Sequence, residues 1–294
     1  MKMKLGEIIK IKRKELGLTQ QQLAKDICAQ ALISRVEKGD IVPKKAILDK
    51  LEQRLGLEEN ELIKAEHDNS KKNELQDVKK NIRQYSLNRD YKTIELLLDH
   101  HKLLINSSRD VNDKVFFAMI EALLEYQLYN RGDRSLEILN GIYLDDVETE
   151  LAVEVYNARG IIYYKRDDFE KARQSYKSGI DILNDSVSIE IRAKITLNYA
   201  LALEQLDNSK EALSYVSEGI DMLVQNNCLY SLGDFHHTKG HIFYKLGNLE
   251  DSKECFELSS SIFRLQNNKK LLSFSQLALT EINNKLSLKQ GGFS

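Results

Sequence analysis

The sequence predicts an all-α protein: a five-helix N-terminal domain followed by an α-solenoid of about five helical-hairpin repeats. Three observations carry this. The 294 residues include a single Pro and 14 Gly beside abundant Leu, Ile, Lys, Glu and Gln, so helix breakers are scarce and helix formers dominate. Residues 1–65 set apolar side chains at helical spacing between start and stop signals. From Gly160 onward, small and large positions recur at a fixed interval of 40 residues. The expected organisation is a five-helix head at 1–65, a linker at 66–75, a repeat domain at 76–290 and a loose tail at 291–294.

The balance of charge agrees with that division. Residues 1–64 hold 14 Lys+Arg against 10 Asp+Glu, and the remainder holds 29 against 35, so a basic head precedes an acidic body. There is no apolar run of about 18 residues and no charged-then-apolar leader, which predicts a cytoplasmic protein with no membrane contact. Cys28, Cys228 and Cys255 are odd in number and widely spaced, which suits reduced thiols and offers no zinc-ligand spacing.

In the head, Leu5, Ile8 and Ile9 begin an amphipathic helix that Gly17 ends. Thr19 caps a second helix running through Leu23, Ala24 and Ile27, with small Ala24 where two helices must approach. A third helix spans about Gln30 to Glu37 and stops at Gly39, with Ile33 and Val36 facing in and Gln30, Ala31, Ser34 and Arg35 facing out. Pro43 starts a fourth, whose Ile47, Leu48, Leu51 and Leu55 share one face, and a shorter fifth follows near Glu59.

The run Leu18-Thr19-Gln20-Gln21-Gln22-Leu23-Ala24, followed by Ile33-Ser34-Arg35-Val36-Glu37-Lys38-Gly39 and Pro43, resembles the phage-repressor (Xre/Cro) helix-turn-helix family, whose fold is lambda-repressor-like. The turn departs from the family, with Cys28-Ala29 in place of the usual glycine and capping Ser or Thr. The resemblance implies that Gln20 contacts phosphate, that Gln30, Ala31, Ser34, Arg35 and Lys38 face DNA, and that Arg13 and Glu37 form a structural ion pair between helices one and three.

The repeats follow by superposition. Gly160, Ala200 and Gly240 align, as do Ala172, Ala212 and Ser252, and Gly179, Gly219 and Ser259; Tyr163, Leu203 and Phe243 move with them, as do Tyr176, Val216 and Phe256. These match the tetratricopeptide (TPR) pattern, in which Gly160 or Ala200 lets helix A approach helix B while Tyr163 and Tyr176 fill the gap. The turns are Arg166-Asp167-Asp168, Leu206-Asp207-Asn208 and Leu246-Gly247-Asn248. Fainter copies at Asn88-Arg89-Asp90-Tyr91 and Asn130-Arg131-Gly132-Asp133 bring the number to about five, and Leu271–Leu286 supplies a final covering helix. The most polar stretch, residues 66–75, reads as the linker, either coil or solvated helix.

Helical geometry puts Asn157, Ile161, Tyr164 and Lys165 on the inner side of one A helix, Asn198, Leu201, Glu204 and Gln205 on the next, and His237, His241, Tyr244 and Lys245 on the third. An Asn amide both donates and accepts, so Asn residues one repeat apart can grip a peptide backbone. This head with about five degenerate TPR units resembles the PlcR branch of the RRNPP peptide-responsive regulators of Gram-positive bacteria. The Ile27-Cys28-x-Gln30 and Ser34-Arg35-Val36-Glu37 runs carry that likeness in the head; Asn157 in Tyr-Asn-Ala-Arg-Gly and Asn198 in Leu-Asn-Tyr-Ala carry it in the body. The resemblance implies a regulator switched by a signalling peptide, held by Arg89, Asn157, Tyr164, Asn198, Glu204, His237, His241 and Tyr244. It also implies a homodimer on a pseudo-palindromic double-stranded operator. Leu87 stands where that branch has a lysine, which implies a different peptide preference.

No enzyme, cofactor or metal is expected. His237 and His241 lie one turn apart, but no Glu-containing zincin motif surrounds them and a third ligand type is missing. No phosphate-cradling glycine loop or nucleophile elbow occurs. The alternatives are a constitutive phage-type repressor and a TPR scaffold that binds a protein partner.

Overall fold

A computed structural model describes residues 4–58 and 60–291. Among these residues it contains sixteen helices and no strands, grouped into two compact units, residues 1–107 and 108–294. No helix among them is long and apolar enough to cross a membrane.

The first unit opens with α1 (Leu5–Glu15), α2 (Gln20–Ala24), α3 (Gln30–Lys38) and α4 (Lys45–Leu55). Their apolar stripes converge on Leu5, Ile9, Leu23, Ala24, Ile33, Val36, Leu48, Leu51 and Leu55. Ile9, Leu23, Ile33 and Val36 are fully buried, each contributing about 1.5–3 kcal/mol by leaving water. Where α1 crosses α3, a Cβ on Gly6 would overlap the Val36 carbonyl oxygen, so only glycine permits this approach. Gly17 and Gly39 end α1 and α3 in the left-handed conformation, as expected. Helix α2 is shorter than the sequence predicts: Asp26 turns the chain with φ 59°, and Ile27 falls in that turn.

The expected short fifth helix and polar linker are one element. Helix α5 (Glu61–Leu87) runs through residues 66–75 without a break, because no Gly or Pro interrupts it. Its start is held by Glu52 of α4, only 2% exposed, whose carboxylate accepts from the backbone N–H groups of Asn60 and Leu62 at 3.0 and 2.7 Å. These are donors that a helix N-terminus otherwise leaves unpaired. Leu62 joins the head core at one end, and Leu75, Val78 and Ile82 are buried further along, where α6 (Tyr91–His100) and α7 (Lys102–Ser107) pack on the helix. The expected start near Glu59 lies outside the described residues.

The second unit stacks antiparallel pairs: α8 (Val111–Gln127) with α9 (Gly132–Asn140), α10 (Thr149–Lys165) with α11 (Phe169–Asp181), α12 (Ile189–Gln205) with α13 (Ser209–Gln225), and α14 (Leu232–Lys245) with α15 (Leu249–Leu265). With α5 and α6 these make the five expected hairpins. A final helix, α16 (Lys269–Gly291), covers α15 and runs beyond the expected Leu271–Leu286; the rest of the expected tail lies outside the described residues. The hairpin turns share one backbone solution, a positive φ at Arg89, Asn130, Asp167, Asp207 and Gly247. Gly160 admits the buried Tyr176 ring, where a Cβ would collide with it, so the expected A–B packing pair is realised.

Candidate functional site

The head presents α3 on its surface. Gln30, Ala31, Arg35 and Lys38 are exposed and Ser34 half-exposed, while Ile33 and Val36 point into the core, so the expected reading face is the free one. Behind it stands a relay. Arg13 Nε and Nη2 donate to the two Glu37 carboxylate oxygens at 2.5 and 2.9 Å, and Arg13 Nη1 donates to the Leu18 carbonyl at 2.7 Å. The two side chains are only 11% and 4% exposed, so α1, the α1–α2 loop and α3 are tied together away from water. Burial pushes the Glu37 carboxyl up, but the hydrogen bonds from Arg13 and Gln20 with the charges of Arg13 and Lys10 win and hold it below its ordinary value.

Gln20 lies within this relay. Its Nε2 donates to Glu37 at 2.9 Å and its Oε1 accepts from Gln30 Nε2 at 2.8 Å, so its amide orients Gln30 on the exposed face of α3. Helix α2 starts on a reciprocal cap: the Thr19 hydroxyl accepts from Gln22 N at 3.1 Å and the Gln22 side chain accepts from Thr19 N at 2.7 Å. Ala29 gives α3 no side-chain cap, and the Cys28 thiol, pushed up by burial, packs against the head core.

In the second unit, polar side chains link the A helices α10, α12, α14 and α16 in sequence. Asn198 Nδ2 donates to Asn157 Oδ1 at 2.8 Å, joining α12 to α10. Lys245 Nζ lies 3.3 Å from Glu204 Oε1, joining α14 to α12. His237 Nδ1 lies 2.9 Å from Ser275 Oγ, and Tyr244 donates to Glu281 and receives from Lys285, joining α14 to α16. Tyr164 stacks edge-on against Phe169 at 5.2 Å; burial, then the Glu204 charge, pushes its phenol up. Seven of the eight expected ligand residues therefore line one set of neighbouring helices. Arg89 belongs to the first unit, exposed at the positive-φ position of the α5–α6 turn.

The wall is less open than helical geometry alone suggests. Asn157 is 7% exposed and Glu204 8%, because each is engaged by the neighbouring A helix. Sequence reasoning missed Ser275, Glu281 and Lys285, which α16 adds to the wall; treating α16 as a sixth A helix in the repeat register would have found them. Glu52 and Gly6 were missed too, since their roles depend on contacts between elements. Among the described residues no three His, Cys, Asp or Glu side chains cluster to hold a metal ion.

A helix-turn-helix family matches residues 9–62, and the RNPP family C-terminal domain matches residues 79–283. The chain belongs to the RNPP family. The family's C-terminal domain covers α10, α12 and α14 of the polar wall and the first two-thirds of α16, and it begins inside α5, so the boundary between the two matched regions falls within one continuous helix. Among curated proteins, the RNPP chain is 23% identical over 258 residues to the transcriptional activator NprA of Geobacillus stearothermophilus, covering 85% of this chain and 60% of that protein's length. It also shares its fold with Bacillus thuringiensis PlcR. The crystal structure of PlcR with the peptide PapR7 and DNA aligns at TM-score 0.62 and 20% identity, covering 94% of this chain and 99% of that one. The apo form aligns at 0.64 and 18%, covering 95% and 98%.

Proposed function

We propose that this RNPP-family chain is a sequence-specific transcription regulator whose DNA binding is switched by a short signalling peptide lying along the A-helix wall. The observation that carries the reading is the convergence of Asn157, Asn198, Tyr164, Glu204, His237, His241 and Tyr244 on neighbouring helices of one wall. The chain also presents an exposed recognition helix in its head. The peptide and DNA in the PlcR crystal, and the name of NprA as an activator, support the same reading.

In this reading residues 1–65 read DNA and residues 76–290 hold the peptide and dimerise. Arg35 pairs with guanine, Gln30 with adenine and Ala31 meets a thymine methyl, while Ser34 and Lys38 complete the face. Gln20 adds a phosphate contact at the N-terminus of α2 to its role in orienting Gln30. Two heads in a homodimer address the halves of a pseudo-palindromic operator. Arg89 enters only as an exposed guanidinium available to an anionic ligand group. The peptide satisfies the Asn amides in place of their mutual bond, and the resulting coupling to DNA is reciprocal.

Operator affinity by fluorescence anisotropy, with and without synthetic peptides encoded by short reading frames beside the gene, tests this. One such peptide should shift the affinity. Asn157→Ala with Asn198→Ala should abolish the shift and preserve peptide-free binding. A chain whose affinity responds to none of the peptides overturns the reading.

A further inference from the structure

The imidazoles of His237 and His241 stand one turn apart on α14 with their Nε2 atoms 3.2 Å from each other. The surroundings of His237 determine which of its nitrogens carries the proton. Its Nδ1 lies 2.9 Å from the Ser275 hydroxyl, which lies 2.9 Å from the Ser259 hydroxyl, which donates to the Gly233 carbonyl oxygen at 2.9 Å. Both serines are fully buried, so water cannot satisfy them instead. A carbonyl oxygen only accepts, so the single Ser259 proton goes to Gly233. The Ser259 oxygen then accepts from Ser275, and the Ser275 oxygen accepts from His237 Nδ1–H. The reverse order would set two lone-pair oxygens against each other across the Ser259–Gly233 contact. His237 is thus held with its proton on Nδ1 and a lone pair on Nε2, directed at His241.

A neutral imidazole whose second N–H is anchored by an acceptor is the form in which histidine ligates transition metals. Two His residues at i and i+4 on one helix face supply two such nitrogens to one ion. With Zn–N distances of about 2.0–2.1 Å, nitrogens 3.2 Å apart subtend roughly 100–105° at the metal, close to tetrahedral. The rings are canted at 74° with centroids 4.8 Å apart, so the nitrogens are their near edges, and Phe256 packs edge-on against both at 5.1 Å.

The geometry points to a solvent-open two-imidazole site on α14 for a divalent transition-metal ion of the Zn2+ type, with His237 and His241 as ligands and Ser275 as a positioning residue. No third protein ligand closes the site among the described residues, and water fills the remaining positions. Without metal, His241 donates its Nε2–H to His237. With metal, that proton moves through solvent to His241 Nδ1, both Nε2 lone pairs bind the ion, and no net proton is released. Mg2+ and Ca2+, which demand oxygen ligands, are excluded. The site stands whether or not the wall takes a peptide, because chain and ion alone suffice to test it.

Calorimetric titration of the tag-free full chain with ZnCl2 at neutral pH should show saturable binding of one ion, with no binding of MgCl2. The substitution His241→Gln should abolish it in a chain that still unfolds cooperatively on heating. Histidine 15N chemical shifts of the native, metal-free chain should show His237 protonated at Nδ1, and Ser275→Ala should weaken Zn2+ binding about tenfold or more. Absence of saturable binding, or equal binding by His241→Gln, overturns the site. Protonation of His237 at Nε2 overturns the positioning role of Ser275.

Discussion

Gly6 of α1 lies directly against the Val36 carbonyl of α3, leaving no room for a Cβ. The obstacle is backbone, which cannot swing aside as a side chain can. Gly6→Ala should destabilise the head by about 1–3 kcal/mol or more, through displacement of α1 from α3. Chemical denaturation of the full chain followed by operator titration measures it; unchanged stability would mean that α1 and α3 separate at little cost.

Removing one partner of the Arg13–Glu37 pair strands the other away from water. Arg13→Ala should cost roughly 3 kcal/mol, the low end for breaking a buried pair, since the guanidinium keeps some solvent contact. The pH dependence has a definite sign. The Glu37 carboxyl is lowered from 4.5 in the folded chain, so its contribution is complete above about pH 4.5 and is lost as pH falls through the folded value. Acid unfolding of the head should begin at higher pH in Arg13→Ala than in the native chain.

The Asn157–Asn198 bond should couple the two residues by about 1 kcal/mol in a double-mutant cycle on unfolding, as for one net hydrogen bond between half-buried amides. A coupling near zero would mean that the amides behave as independent surface groups.

Acid should loosen the fifth repeat. Burial, then the neighbouring His241, pushes His237 down to about 4, and burial also lowers His236 and His241. A depressed folded value means that the unfolded chain binds more protons between about pH 4 and 6.5, so stability is complete above 6.5 and falls as pH drops toward 4. Circular dichroism melts across this range should show the decline, and His237→Gln should flatten it. A parallel decline in the variant would assign the effect elsewhere.

Arg35→Ala should weaken specific operator binding by about 1–3 kcal/mol while leaving random-sequence DNA nearly unaffected. An equal loss on both would make Arg35 a phosphate contact.

Local signals carried most of the fold. Gly17, Thr19 and Gly39 marked helix ends because each acts on its own stretch of backbone, the glycines through φ and Thr19 through its hydroxyl, and the 40-residue register located the hairpins because a small residue meets a ring in comparable units, Gly160 with Tyr176 and Gly240 with Phe256. The polar wall was legible as a list of faces, since Asn157, Asn198 and His237 occupy helical positions that spacing fixes. What spacing cannot supply is the pairing across helices. That Asn157 is engaged by Asn198, that Ser275 lies against His237, and that Glu52 caps α5 are facts of tertiary contact. The polar run at 66–75 was undecidable on composition, because a helix solvated at its middle and anchored at both ends is as polar as a coil.

Helix α5 makes the head's attachment a matter of angle rather than reach. At 1.5 Å per residue, its 27 residues form a rod about 40 Å long, with Glu52 clamping one end and the first hairpin packed on the other. A flexible tether of this length would leave its two ends free to turn independently; a continuous helix keeps them in one register. Residues 66–75, the least hydrophobic of the chain, thereby keep that register, and a pair of glycines placed there should release it.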